Sequence, residues 1–295
     1  MALNIAPLVG PCFVITLLSF ILYGLLLAQV YFYLTTYSED HISIKVVVVV
    51  LCLLETLQVA ACIHVLYTYL VVFFDDPLRI DKIIWTILLA MYLMVTINAL
   101  VQTFYIYRIW RLYRNIPLIT YLVTLLSACT AIAFQSCSIP YVNLDGTWLA
   151  IEASHSYRPH VIASLSLGLA LDGSITLSLA SILRHRLAFA HKRSNKNMMH
   201  KLMFYGLGIG FLTMITSVVT LILFITSKSP VTYGGMIVVL SKVYANSLLA
   251  MLNIREGLRK DAASDDAYSV ELTGTSISPP NSTSQALQYK VQTVC

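Results

Sequence analysis

The chain has 295 residues, of which 58% are hydrophobic and 11% charged, and a formal net charge of +5. Soluble domains carry about 25% charged residues, so this deficit excludes a soluble fold and points to a polytopic membrane protein. The positive balance does not call for nucleic acid, because its placement along the chain accounts for it.

The N-terminal MALNIAPLVGP has neither a basic n-region nor a clear cleavage site, so the first apolar run is expected to remain as a signal anchor. A helix needs about 20 apolar residues to cross the hydrocarbon. Seven stretches qualify: 11–33, 46–74, 83–107, 117–137, 160–183, 202–227 and 233–254. In the fifth, SLSLGLALDGSITLS (164–178) alternates small or polar with large apolar side chains, a strand-like period. A lone strand leaves its backbone unsatisfied in lipid, so a helix is expected there as well. The connection 138–159 carries Trp148, which either covers a cavity mouth or anchors in the interface. From Asp261 onward Ser, Thr, Asp, Gly and Pro dominate, giving a seven-span domain at 1–260 and an expected disordered tail at 261–295.

Orientation follows from the basic residues. One side holds Lys45, Arg108, Arg111, Arg114, the basic 184–201 connection and the tail; the other holds only Arg79, Lys82, Arg158 and Lys228. Basic residues mark the cytoplasmic side, so the N-terminus is expected outside and the C-terminus in the cytoplasm. The sequence RHRLAFAHKRSNKNMMHK (184–201) reads as a positive-inside loop that also offers a face to a cytoplasmic partner or to lipid.

Intramembrane ionisable residues are functional candidates. Glu55, Asp172 and Lys242 lie well inside spans, with His64 as a fourth. Lys242, Asn246 and Asn253 share one helix face, and Asp172 shares a face with Ser164, Gly168 and Thr176. At 1.5 Å per residue from the outer ends, Asp172 lies about 18 Å deep, Lys242 about 14 Å and His64 about 12 Å. Glu55 is deeper, toward the cytoplasm. The depths favour an Asp172–Lys242 pair, with Asn246 and Asn253 hydrogen-bonding along the same face. Asn98 and Gln102, one turn apart, are candidates to bridge helices. A retinal Schiff base on Lys242 lacks its counter-ion, since the third span has no acid and position 238 is Val. GLGIG (206–210) lies in a span with no strand before it, so Gly206 and Gly210 are read as helix contacts and not as a phosphate loop. The six cysteines show no metal spacing; a Cys12–Cys137 bridge is the alternative to small buried hydrophobes. No metal-ligand cluster, nucleophile elbow or redox pair is visible, so neither an enzyme nor a cofactor is expected.

Three pieces, LDGSITLSLASIL, KRSNKNMMHKLMFYGLGIGFLT and VLSKVYANSLLAMLNIREGLR, resemble a fungal (basidiomycete) family of seven-span membrane proteins, the domain of unknown function 6534. The resemblance covers about residues 165–258. It implies a seven-helix integral membrane fold with no attached activity, and marks Asp172, Lys242, Asn246 and Asn253 as signature positions. The expected function is that of a multi-pass protein of the plasma membrane or an endomembrane. It would be receptor-like or sensory, with a small-ligand site among Asp172, Lys242, Asn246, Asn253, His64 and Glu55. The alternatives are a transporter or channel using a polar path, and a structural or lipid-organising protein.

Overall fold

The computed structural model describes residues 6–73, 79, 82–113, 115–142, 147–148, 157–188, 193–226 and 230–272. Seven helices account for nearly all of them: α1 Ala6–Thr36, α2 Ile42–Tyr67, α3 Trp85–Leu112, α4 Ile116–Val142, α5 Tyr157–Ala188, α6 Arg193–Thr226 and α7 Pro230–Leu272. A π-helical turn, Thr68–Val72, prolongs α2. Each of the seven contains a segment long and apolar enough to cross a membrane. The strand-like alternation in α5 is overridden, as the unsatisfied backbone of a lone strand requires. Pro117, Pro159 and Pro230 stand in the first turns of α4, α5 and α7, where a missing N–H removes no helical bond.

Consecutive helices pack side by side, and α7 returns to α1, closing a ring in which α3 also touches α5 and α7. The helices do not share burial equally. In the apolar segment of α7 78% of residues are buried, against 11% in α4, so α7 is the axial element. Large apolar side chains on the outer faces, such as Val14, Ile21, Leu53, Phe211 and Ile222, are exposed. In water such a surface drives aggregation, whereas lipid tails solvate it at no cost. The architecture is that of a membrane-embedded all-helical bundle.

Two expected boundaries move. The basic stretch 184–201 is mostly helix, because α5 runs to Ala188 and α6 starts at Arg193. It contains neither Gly nor Pro to break the pattern. Likewise α7 continues past 260 to Leu272, with no Gly or Pro between Gly257 and Gly274, so 261–272 is helix and not unstructured tail. Residues 273–295 lie outside the described residues.

The tightest of the described glycines is Gly210. A Cβ there would lie 2.5 Å from the Thr176 Oγ1, so glycine is what lets α6 sit against α5. A Cβ on Gly206 would lie 3.0 Å from the Met251 Cε, the end of a flexible side chain. Both glycines act as helix contacts.

Candidate functional site

The axial helix α7 presents two polar faces. Lys242 and Tyr244 are two residues apart, about 200° around a helix of 3.6 residues per turn, so they look in opposite directions.

Lys242 faces α1 and α2. Its Nζ forms an ion pair with Glu55, donates to the Gln58 Oε1 at 2.8 Å and lies 5.8 Å from the centre of the Tyr23 ring. Both ionised side chains are fully buried. Gln58 also accepts from the Ser241 Oγ at 3.0 Å and donates to the Ala90 carbonyl at 3.4 Å, tying α3 into the cluster. The expected Asp172–Lys242 pair is therefore replaced by Glu55–Lys242. Depth along the membrane ranked the partners, but direction around α7 decides between them, and Lys242 points away from α5.

The two asparagines on this face reach across to α1. The Asn246 Nδ2 donates to the Leu22 carbonyl at 3.0 Å, and the Asn253 Nδ2 to the Gln29 carbonyl at 2.9 Å. Both bonds span the same sequence offset, so α1 and α7 are parallel and in register over two turns. The expected bonding of Asn246 within its own helix is present too, to the Lys242 carbonyl at 2.8 Å. Further along, Arg255 pairs with Asp40 at 2.5 Å and covers the Tyr37 ring at 4.8 Å. This face is a seam that fastens α7 to its neighbours.

Tyr244 faces the other way, to Asp172. The Asp172 Oδ1 accepts from the Gln102 Nε2 at 3.0 Å; its Oδ2 accepts from the Ser217 Oγ at 3.4 Å and from the Tyr244 hydroxyl. One carboxylate thus gathers α3, α5, α6 and α7 through neutral donors. All four side chains are buried.

Cavities flank this junction. Toward the Trp148 end, a cavity of about 90 Å³ lies between α3, α4, α5, α6 and α7, with Gln102, Ser217 and Tyr244 in its lining. Its walls are mainly apolar or small, including Met94, Ala133 and Gly168. Asn98 also lines it, and the Asn98 Oδ1 is buried without a partner. A buried apolar cluster including Tyr157, Val161 and Ile237, against which Trp148 packs, closes that end. The Trp148 Nε1 donates to the Tyr69 hydroxyl at 3.3 Å, which ties Trp148 to the π-helical turn that prolongs α2. On the other side of Asp172 lie a cavity of about 30 Å³ and then one of about 10 Å³ reaching Arg108.

His64 joins neither cluster. It is exposed, with its Nδ1 3.2 Å from the Thr86 Oγ1. Cys137 is a buried free thiol, which leaves no Cys12–Cys137 bridge. Among the described residues no three His, Cys, Asp or Glu side chains gather as metal ligands. Sequence reasoning missed Gln58, Ser217 and Tyr244. Gln58 carried a signal, since it lies one turn after Glu55 on the same face. Tyr244 and Ser217 carried none beyond their types, because tyrosines and serines are frequent in these spans.

Residues 168–257 match the model of a Family of unknown function (DUF6534). No curated protein and no solved structure matches the chain. The matched stretch holds Asp172, Ser217, Lys242, Tyr244 and both asparagines, while Glu55, Gln58 and Gln102 come from the part before it. Each polar cluster is thus built from both parts of the chain.

Proposed function

We propose a receptor-like or sensory membrane protein that binds a small, largely apolar molecule in the 90 Å³ cavity, above the Asp172 junction. The supporting observation is the cavity's make-up: apolar walls, a polar floor, and the unpartnered Asn98 Oδ1. One water needs about 10–15 Å³ on this measure, so the space suits an object of several waters' size. An acceptor without a donor calls for a ligand with one hydrogen-bond donor on an apolar body, such as an alcohol. With the N-terminus outside, the cavity faces the outer half of the membrane. A ligand there would bear on the junction joining α3, α5, α6 and α7, and so on the basic 184–201 ends of α5 and α6. Those ends and the C-terminal tail are the proposed face for a cytoplasmic partner.

The reading moves the ligand site away from Lys242, Asn246, Asn253, Glu55 and His64, leaving Asp172 as the shared member. Its test is thermal unfolding of the purified chain with hexanol and related medium-chain alcohols. They are expected to raise the midpoint of the wild type, and less so that of Ala133→Leu, which fills the cavity, or Asn98→Ala. A wild type stabilised by none of them would count against the reading. The three cavities in series lend specific support to a transporter, which a flux assay in proteoliposomes would reveal.

A further inference from the structure

Asp172 is 5% exposed, and among the described residues its carboxylate is bonded to Gln102, Ser217 and Tyr244 alone. None of these carries a charge. Burying an ionised carboxylate is costly, and buried charges are ordinarily paired or bound to metals. Glu55 has its lysine; among the described residues Asp172 has no such partner.

Beside it lies the cavity of about 30 Å³, lined by Asp172, Tyr105, Thr176, Thr213 and Tyr244 among others. That is room for about two water-sized bodies at 10–15 Å³ each. The Tyr105 hydroxyl is buried without a partner. The Thr213 hydroxyl gives its proton to the Gly210 carbonyl at 2.9 Å, and Tyr244 gives its own to Asp172. Each of these oxygens keeps lone pairs free to meet a cation.

We propose that this cavity binds one monovalent cation of sodium size, held by Asp172 and the hydroxyls of Tyr105, Thr213 and Tyr244, with a water completing its shell. Hard cations take oxygen ligands, and calcium or magnesium sites are built from several carboxylates or from substrate phosphates. A single carboxylate neutralises one charge, which selects a monovalent ion. Arg108 lines the adjoining 10 Å³ cavity. The larger cavity, with Gln102 and Ser217 in its lining, offers the wider approach to the ion. The site is independent of any organic ligand in that cavity, and either proposal can fail alone.

The test is thermal unfolding of the purified full chain in nanodiscs, in sodium chloride against choline chloride at equal ionic strength, with radioactive sodium binding for stoichiometry. The expected result is a saturable rise in midpoint with sodium and binding near one ion per chain. Asp172→Asn should abolish both. Thr213→Val, which removes one ligand and keeps the carboxylate, should raise the half-saturating sodium concentration several-fold, and decides the matter if Asp172→Asn does not fold. Equal midpoints in the two salts for the wild type would overturn the proposal, as would a sodium response unchanged in Asp172→Asn or Thr213→Val. A midpoint that follows pH but not sodium would identify a proton as the occupant and overturn it equally.

Discussion

Glu55 and Asp172 are both buried carboxylates, and both are reached from α7, yet the bundle treats them in opposite ways. Glu55 meets a lysine in a packed seam, with Gln58 and Tyr23 filling the remaining space around the ammonium. Asp172 meets only neutral donors and lies between cavities. The first arrangement fixes geometry and answers the charge within the bundle, although the Glu55 Oε1 has no hydrogen bond among the described residues. The second leaves both room and charge unspent, which is what a binding site requires. Polar residues inside a membrane bundle are therefore not one class, and their function depends on whether their charge is already answered.

The sharpest way to break this contrast is at Lys242. Removing one member of a buried ion pair strands the other and costs about 3–5 kcal/mol. Lys242→Leu should therefore be severely destabilised in equilibrium unfolding from detergent micelles, and Glu55→Leu combined with it should recover most of the loss. Asp172→Ala combined with Lys242→Leu should instead show simple addition, since the two share no partner. Rescue by Asp172→Ala, and not by Glu55→Leu, would reverse the assignment.

A smaller effect probes the other carboxylate. A hydrogen bond to a charged group contributes about 1.5–3 kcal/mol, so Tyr244→Phe should cost an amount in that range. Ser217→Ala should cost less, because its bond is 3.4 Å long. The same unfolding experiment reads both, and equal losses would mean that Tyr244 is not the principal donor.

The reach of the sequence can be judged from these residues. The seven spans are legible because hydrocarbon demands long apolar runs, and each of the seven helices covers most of one expected stretch. The grouping of Lys242, Asn246 and Asn253 on one face is legible too, from helical periodicity alone. What that face meets is not: counting residues gives depth, whereas the choice between α1, α2 and α5 depends on how each helix is rotated in the ring. Gln102 was visible as a bridging candidate, but its partner came from a helix 70 residues away. Cavities arise from the packing of four or five helices at once and leave no local mark.

The asparagines of the seam give the next effect down. Interhelical hydrogen bonds in membranes average about 0.6 kcal/mol, since the unfolded chain in lipid also finds partners. Asn246→Ala and Asn253→Ala should each lose about that much. They lie two turns apart, about 10 Å, so the double variant should show the sum. A much larger loss at Asn246 alone would mean that it supports the Lys242–Glu55 pair as well as the contact with α1.

His64 supplies the smallest effect and the control for the whole comparison. It is ionisable and lies within a span, so composition alone ranks it with Glu55 and Asp172. The bundle leaves it exposed on α2, with a single bond to Thr86. Exposed itself, and bonded to the buried Thr86 through a neutral hydroxyl and not a charge, it should change stability by about 0.5 kcal/mol when replaced. His64→Ala should therefore unfold with the wild type and keep any response to alcohol or sodium. A loss as large as that of Tyr244→Phe would mean that polarity within a span matters even without burial. The distinction between an answered and an unanswered charge would then no longer separate the two sides of α7.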